Sequence, residues 1–417
     1  MQDSKLLRRV DRHIGKASCR ILSWVHWLFG IPSEKAVDSM RNVLLIELFE
    51  MGAGVMLLPS INYLKKHDPQ IDIHVLTTKT CLPVWRAINA LDQEKIRCME
   101  AGSPFKFLWS AARTLFKLRF VRFDLIIDYE LFMRISAIFS GLLRARRRAG
   151  FYKYDFEGLD RGEFYHARCA FNQNSHISRN YLSLTKTAFE HERAQPNFKG
   201  PISFDEVMIK PTLAKVGKED LRGLVGGPSR EVAPYIVVCP DVGKTLAMRN
   251  YPQESFAEVI EELLSRYPWH RVVMIGTAEN RVTSQAILTR VPQRDRCLDL
   301  CGETNFEELL KVISGAEVVI TNDNGPAHFA TLTGTKVLAL FSTDSPFVYG
   351  PSGDAVVAYS FYQCSPCISA YNHKTSRCDN NLCLQVLEPH KVVELAALIL
   401  NGQAKFRTIN NQIPYLF

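Results

Sequence analysis

Two hydrophobic patterns alternate along this chain. Short β-branched runs end in polar, glycine-containing loops, and most are followed by segments with helical spacing. The first run, residues 42–48, precedes a helix-period stretch over 55–66 that Pro69 closes. Residues 71–77 and 123–128 read as further strands, and 131–143 as a helix. A second series starts with a strand at 235–239. It continues through a helix at 256–267, a strand at 271–275, a helix at 306–313, strands at 318–321 and 336–341, and a late helix at 389–400. Such alternation predicts parallel sheets covered by helices. Residues 151–230 are less periodic and hold His166, Asn172, Asn174 and His176, so they read as a loop and helices leading to a linker near 223–229. The expected division is therefore an N-terminal segment 1–40, an α/β domain 41–225 and a second α/β domain 226–417. No solenoid-length repeat and no low-complexity tract interrupts it.

The most informative junction lies in the second series. The run Val318-Val319-Ile320-Thr321 stops at Asn322-Asp323-Asn324-Gly325-Pro326-Ala327-His328, and a short apolar segment, 329–332, then ends at Gly334. A loop at the carboxyl end of a parallel strand is where open α/β sheets bind ligands, and the helix start after it offers unpaired N–H groups to phosphate. A cap and a tight turn would account for Asp323 or Asn324 with Gly325, but not for the whole polar set. Asp323 would repel phosphate, so sugar hydroxyls are its better partners. His328 falls one turn past Asn324, where it either donates to a phosphate or packs inside.

Four more strand ends carry candidate chemistry. After the strand at 235–239, Lys244, Thr245 and Arg249 supply a point charge, a hydroxyl and a planar fork suited to a pyrophosphate. Glu279 follows the strand at 271–275. The first loop, Phe49-Glu50-Met51-Gly52-Ala53-Gly54, holds one carboxylate, Glu50, and glycines that permit close backbone approach. Glu130 ends the strand at 123–128. Gly52, Gly54, Glu130 and Arg134 complete the candidate set of this first domain.

Composition changes the picture in three places. With 417 residues, 47% hydrophobic and 23% charged, the chain is an ordinary globular protein with room for two domains. No run is long and apolar enough to span a membrane, and Arg8, Arg9, Arg12, Lys16 and Arg20 interrupt the first apolar stretch, so no signal peptide is read and a cytoplasmic location is expected. The net charge of +8 is clustered. Leu7, Val10, Ile14, Ala17, Ile21, Trp24 and Leu28 form one stripe of a basic helix; residues 105–122 mix Lys106, Arg113, Lys117 and Arg119 with Phe, Leu and Trp; Arg144, Arg146, Arg147 and Arg148 follow. Basic amphipathic helices suit an anionic membrane surface, here the inner face of a membrane. The heptad spacing of the stripe equally suits packing on the domain or a homo-oligomeric coiled coil. No nucleic-acid motif accompanies the charge.

Eleven cysteines without a secretory signal do not suggest a disulfide framework. Seven are scattered. Cys364, Cys367, Cys378 and Cys383 fall together within 360–385, with spacing that lets a loop gather four thiolates around a structural zinc or iron. Disulfides or free thiols are the alternatives, and His373 lies in the same loop.

The segment 322–328, with Gly334-Thr335-Lys336-Val337-Leu338-Ala339-Leu340-Phe341, Ser345-Pro346 and Gly350-Pro351, resembles the signature of family 9 glycosyltransferases, which include lipopolysaccharide heptosyltransferases. Residues 42–59, Phe123-Asp124-Leu125-Ile126-Ile127-Asp128 and Arg249-Asn250-Tyr251-Pro252 agree in the same order. The resemblance implies a GT-B architecture, with two Rossmann-like domains facing each other across a cleft. It implies inverting transfer without a catalytic metal from a nucleotide diphosphate sugar, typically ADP-heptose. By the same resemblance Arg249 contacts donor phosphates, Glu279 the ribose and Asp323 the transferred sugar. Some members that glycosylate autotransporter proteins look similar around the cysteines and carry a four-cysteine iron finger there. One departure stands out: the family's catalytic Asp in the first loop is Ala53 here. Glu50 is the expected replacement and Glu130 the alternative. The implied acceptor is a glycolipid or glycan hydroxyl. The rival readings are a sugar-nucleotide-binding or assembly protein without catalysis, a protein glycosyltransferase, and an epimerase of the nucleotide sugar.

Overall fold

The computed structural model describes residues 11–29, 40–100, 102–153, 160–189, 197–226, 231–370, 372 and 376–406. The chain divides between Val207 and Met208 into two compact units, with Ala370 and Asn372 counted in the first. Each unit is a six-stranded, wholly parallel sheet covered by helices. The boundary comes earlier than 225/226 for a packing reason. The helix Lys218–Val225 lies on the helix Phe306–Gly315, where a Cβ on Gly315 would meet Leu221 Cδ1 at 2.4 Å. Upstream, the Thr212 N–H donates to the Leu332 carbonyl at 3.0 Å.

The first sheet contains β1 (Asn42–Ile46), β2 (Asp72–Thr78), β3 (Ile96–Met99), β4 (Phe123–Asp128), β5 (Ala145–Phe151) and β6 (Ala167–Cys169) in the order 3-2-1-4-5-6. The second contains β7 (Tyr235–Cys239), β8 (Arg271–Met274), β9 (Cys297–Asp299), β10 (Val318–Asn322), β11 (Val337–Phe341) and β12 (Ala355–Tyr359) in the order 12-11-10-7-8-9. Counted within each unit, the two orders are the same doubly wound order. Chain direction along the sheet reverses between β1 and β4, and again between β7 and β10. Crevices open at the carboxyl ends of those pairs.

The central strands are apolar on both faces, as strands covered by helices on both sides must be. The expected helix over 55–66 is two helices, Met51–Met56 and Leu58–His67, which meet at Leu57 just before Pro59. Proline has no N–H to continue a helical ladder but fits the first turn of a new helix.

The N-terminal segment is not a separate part. Its helix, Lys16–Leu28, docks on the helix Arg134–Leu142 through buried Cys19, packed with Ala137, Phe164 and Tyr165, and through Leu22. The Asp11 carboxylate accepts from the N–H groups of Arg134 and Ile135 at 2.8 and 3.0 Å, satisfying two donors that the start of that helix leaves unpaired. Leu7 and Val10 lie outside the described residues. The rest of the expected stripe faces away from the domain: Ile14, Ile21, Trp24 and Leu28 are all more than half exposed. The helix does pack on the domain, but by the adjacent row of Cys19, Leu22 and His26 instead of by this stripe. Among the described residues no helix is long and apolar enough to cross a membrane.

Candidate active site

Both crevices collect the polar residues singled out from the sequence, and each is built within its own unit. In the C-terminal unit, β10 delivers Asp323 and Asn324 to the crevice beside the end of β7. The helix Gly325–Thr333 begins directly after, with Asn324 as its N-cap, proline in its first turn and Gly334 closing it at φ 70°. Asn324 stitches the two strand ends together. Its Oδ1 accepts from the Thr321 hydroxyl at 2.7 Å, and its Nδ2 lies 3.3 Å from Cys239 Sγ. Asn322 is a second stitch: its Nδ2 donates to the Pro240 carbonyl at 2.7 Å and its Oδ1 accepts from Tyr251 N–H at 3.1 Å. The Asn324 side chain is therefore engaged in holding the loop, and the helix N–H groups are what it presents to a ligand. Gly325 has a steric reason, since a Cβ there would meet the Phe329 ring at 2.8 Å. His328 sits half-buried one turn into the helix.

Arg249 ends a 3-10 turn, Lys244–Arg249, that Gly243 enters at φ 78°. Its Nε lies 3.4 Å from Asp323 Oδ2, and its guanidinium also pairs with Asp344, whose side chain is completely buried. Sequence reasoning missed Asp344, although an acid three residues after an apolar strand was the available signal. Arg249 is thus not a bare phosphate clamp. One cation lies between two carboxylates, and an incoming diphosphate would compete with them for it. The side chains of Lys244 and Thr245 lie outside the described set. Glu279 is exposed in the turn after β8, the second strand of this doubly wound sheet.

In the N-terminal unit, β1 and β4 bring four carboxyl groups to one crevice. Glu50 is exposed, at the N-cap of the helix Met51–Met56. Ala53, one turn further along the same side, is buried. Glu130 is buried and accepts from the N–H groups of Leu48 and Phe49 at 2.8 and 3.2 Å. Asp128 is fully buried, ion-paired with Arg161, and accepts from the Tyr165 hydroxyl at 2.7 Å. The fourth group, Glu47, was not foreseen. Burial raises its pKa well above the usual carboxylate range, and the neighbouring Glu130 and Glu50 add to that. A lone acid inside the run Leu44-Leu45-Ile46-Glu47-Leu48 was the sign of it.

Burial, opposed by the Leu48 N–H and reinforced by Glu50 and Asp128, pushes Glu130 up from the ordinary 4.5 to about 7. Between those two values the folded chain keeps a proton that the unfolded chain has released. Stability therefore falls as pH rises through that window. Glu130→Gln keeps the acceptor for both N–H groups and removes the titration. From pH 5 to pH 8 the wild type should lose on the order of 2–3 kcal/mol more stability than Glu130→Gln. Urea unfolding at the two pH values checks this, and equal losses would show that Glu130 is ionised throughout.

Several expected site residues have other work. Arg134 is buried; its Nε donates to the Asp160 carbonyl at 2.8 Å, and its guanidinium lies 3.6 Å from Asp11. That places it in the anchor of the N-terminal helix. Gly54 is buried where a Cβ would approach Val84 Cγ1 at 3.2 Å, so its small size serves helix packing, while Gly52 is half-buried. The arginine cluster at 144–148 is only partly a surface. Arg147 and Arg148 are buried in β5, and Arg148 donates to the carbonyls of Ser140 and Leu143 at 2.8 and 2.7 Å. Burial lowers its pKa to about 10.

The four clustered cysteines differ in exposure. Cys364 is exposed, Cys367 and Cys378 are half-buried, and Cys383 is buried. Burial, and then the nearby Cys364, Cys367 and Cys378, push the Cys383 thiol up. Cys378 Sγ donates to the Asn380 carbonyl at 3.2 Å, and Cys367 Sγ accepts from Ser376 at 3.4 Å. Among the described residues no group of three or more His, Cys, Asp or Glu is arranged to hold a metal ion. The four-thiolate shell expected from the spacing is therefore not assembled in this structure. His373 lies outside the described residues.

Residues 112–376 match the model of glycosyltransferase family 9 (heptosyltransferase), and the chain belongs to that family. Lipooligosaccharide heptosyltransferase 2 of Haemophilus influenzae is 29% identical over 123 residues, which is 29% of this chain and 35% of that relative. The aligned stretch thus spans about a third of the curated relative. Two solved structures share the fold. The ADP-heptose lipopolysaccharide heptosyltransferase II of Escherichia coli superposes with a TM-score of 0.63 at 19% identity, covering 87% of this chain and all of the other. The family 9 glycosyl transferase of Veillonella parvula gives 0.66 at 16% identity, covering 88% and 99%. The α/β architecture, two doubly wound units of the GT-B class, is thereby the one expected from the sequence.

Proposed function

We propose that this protein is an inverting glycosyltransferase that moves a heptose-like sugar from an ADP-sugar to a hydroxyl of a glycolipid or glycan in lipopolysaccharide assembly. The observation that carries the reading is the loop 322–328, at the switch point of the C-terminal sheet beside Arg249, in a chain of family 9. Arg249, Lys244, Thr245 and the first N–H groups of the helix Gly325–Thr333 would hold the donor diphosphate. Glu279 would take the ribose, Asp323 the sugar hydroxyls, and His328 a phosphate oxygen. Glu50 would take the proton from the acceptor hydroxyl as that oxygen forms its bond to the anomeric carbon. The bond from that carbon to the phosphate oxygen breaks, and ADP leaves with the electron pair. Arg249 and the positive helix end would offset the charge on that leaving group, the task a divalent ion performs elsewhere. Gly52 and Glu130 would border the acceptor. The protein would work at the cytoplasmic face of the inner membrane, as a peripheral protein.

The test is transfer of labelled sugar from ADP-heptose to a lipopolysaccharide core acceptor in EDTA, with the purified full chain. Transfer supports the reading. Release or change of the sugar with no acceptor present would favour the epimerase. Tight donor binding without turnover would favour the non-catalytic reading that Ala53 motivates.

We also propose one structural zinc or iron on Cys364, Cys367, Cys378 and Cys383, supported by their spacing and by the effect of the other three on the Cys383 thiol. A tetrahedral, fully protein-ligated ion leaves no place for a substrate, so its task would be to pin the segment 360–385. Protein purified without chelator should carry about one ion per chain, and a strong chelator should lower its thermal stability. A metal-free sample whose melting is unmoved by chelator would end this part of the proposal.

A further inference from the structure

The N-terminal unit carries two helices whose outer faces are apolar and cationic, and both stand on one side of its sheet. The helix Pro104–Leu118 buries Phe107, Ala111 and Leu118 in the same core cluster as Phe139 and Leu143. Phe139 belongs to the helix Arg134–Leu142, and the N-terminal helix Lys16–Leu28 docks on that same helix. There a Cβ on Gly141 would meet Leu22 at 3.3 Å.

What these helices leave outside is unusual for a soluble surface. Phe105 is 78% exposed, Trp109 70%, Phe116 58% and Phe120 67%. On the N-terminal helix and its end, Trp24, Trp27 and Phe29 are 59%, 73% and 79% exposed. Contiguous exposed apolar side chains mark an interaction site. The cations run beside them: Lys106, Arg113, Lys117, Arg119 and Arg122 are all exposed. The Arg119 guanidinium lies 5.0 Å from the ring centres of both Phe116 and Phe120. Residues 104–122 contain no Asp or Glu.

We propose that these two helices form one docking face for an anionic lipid bilayer, with the helix Pro104–Leu118 as its main element. The inference deepens the membrane part of the proposed function and rests on it, but not on the identity of the sugar donor. The charge decides the occupant. A second copy would bring the same uncompensated cations against these, whereas anionic headgroups neutralise them. Tryptophan, phenylalanine and long cationic side chains also divide naturally across a headgroup layer, rings toward the acyl chains and charges toward phosphate.

The test uses the full chain and vesicles of phosphatidylcholine with or without phosphatidylglycerol, at low and high salt. Wild type should sediment with the anionic vesicles, less so at high salt. Trp109→Ser with Phe116→Ser, and separately Lys106→Glu with Lys117→Glu, should each weaken binding about tenfold or more. Trp24→Ser with Trp27→Ser should weaken it less. All three pairs lie on the surface and should keep wild-type melting and wild-type donor turnover on a soluble acceptor. Loss of that turnover in the wild type itself would strike the glycosyltransferase reading and leave the docking face untouched. Undiminished vesicle binding by the first two pairs, equal binding to uncharged vesicles, or a wild-type oligomer that these pairs dissociate without affecting vesicle binding would each overturn the proposal.

Discussion

Glu50→Gln should lower turnover by roughly 10²–10⁴-fold, the usual worth of a general base, with little change in donor affinity. The expectation follows from how the four carboxyl groups of the N-terminal crevice differ. Asp128 is fully buried and tied to Arg161 and Tyr165. Glu47 is buried, and burial with the neighbouring Glu130 and Glu50 raises its pKa well above the usual carboxylate range, so it is shut away from an acceptor. Glu130 is buried, with one oxygen turned to two backbone N–H groups. Glu50 alone among the four is exposed. It stands one turn before Ala53, the position at which the family resemblance implies an Asp. A glutamate one turn earlier brings a longer arm to the same side of the helix. Glu130→Gln is the control, and should leave turnover within about tenfold of wild type. The opposite outcome, full activity in Glu50→Gln and loss in Glu130→Gln, would move the base to Glu130. Its pKa of about 7 is well placed for that task. Wild-type turnover in both variants would remove carboxylate catalysis by this crevice altogether.

The sequence was most legible where strands are apolar on both sides. β4, β7 and the late helix Pro389–Leu400 have the bounds that periodicity gives them, and β10 and β11 differ by one residue. The strands that periodicity missed are mostly edges. β3, β6, β9 and β12 are at or next to the outside of their sheets, and β6 and β9 have three residues each. A half-polar three-residue strand carries no measurable period. β5 was hidden for another reason: Arg147 and Arg148 look like surface in a sequence, but carbonyls of neighbouring segments receive their guanidinium groups inside the unit. The same distinction governs the site. Loop positions were legible because strand ends and glycines mark them. What each side chain does was not. Arg134 and Asn324 are engaged by partners far off or across the crevice, and Asp344 and Glu47 act through burial. The N-terminal stripe shows the limit of periodicity itself. The spacing identified an amphipathic helix, but a helix with Cys19 and Leu22 beside the stripe has two faces able to dock, and the smaller one was used.

Arg249→Ala should unfold the protein at a distinctly lower temperature as well as abolish transfer. Arg249 neutralises Asp344, whose side chain has no solvent exposure, and lies 3.4 Å from Asp323, whose side chain is 8% exposed. Two carboxylates remain near one another when the guanidinium is removed. Breaking a buried ion pair from one side costs about 3–5 kcal/mol, since the surviving charge is left in a poor solvent. Arg249→Ala is therefore a poor probe of donor binding on its own. Asp323→Ala is a cleaner one. It leaves the Arg249–Asp344 pair intact, so melting should stay near wild type while transfer weakens by about 1.5–3 kcal/mol, the worth of a hydrogen bond to a charged group. Arg249→Lys falls between them: the charge survives, but a point charge replaces the planar fork that reaches two carboxylates at once. Its melting should lie between wild type and Arg249→Ala, and its KM for the donor should rise. Thermal melts beside donor kinetics on the three variants separate the roles. If Arg249→Ala melts with wild type, the ion pairs do not hold the crevice together. If Asp323→Ala and Arg249→Lys also turn over normally, the donor does not bind at the end of β10.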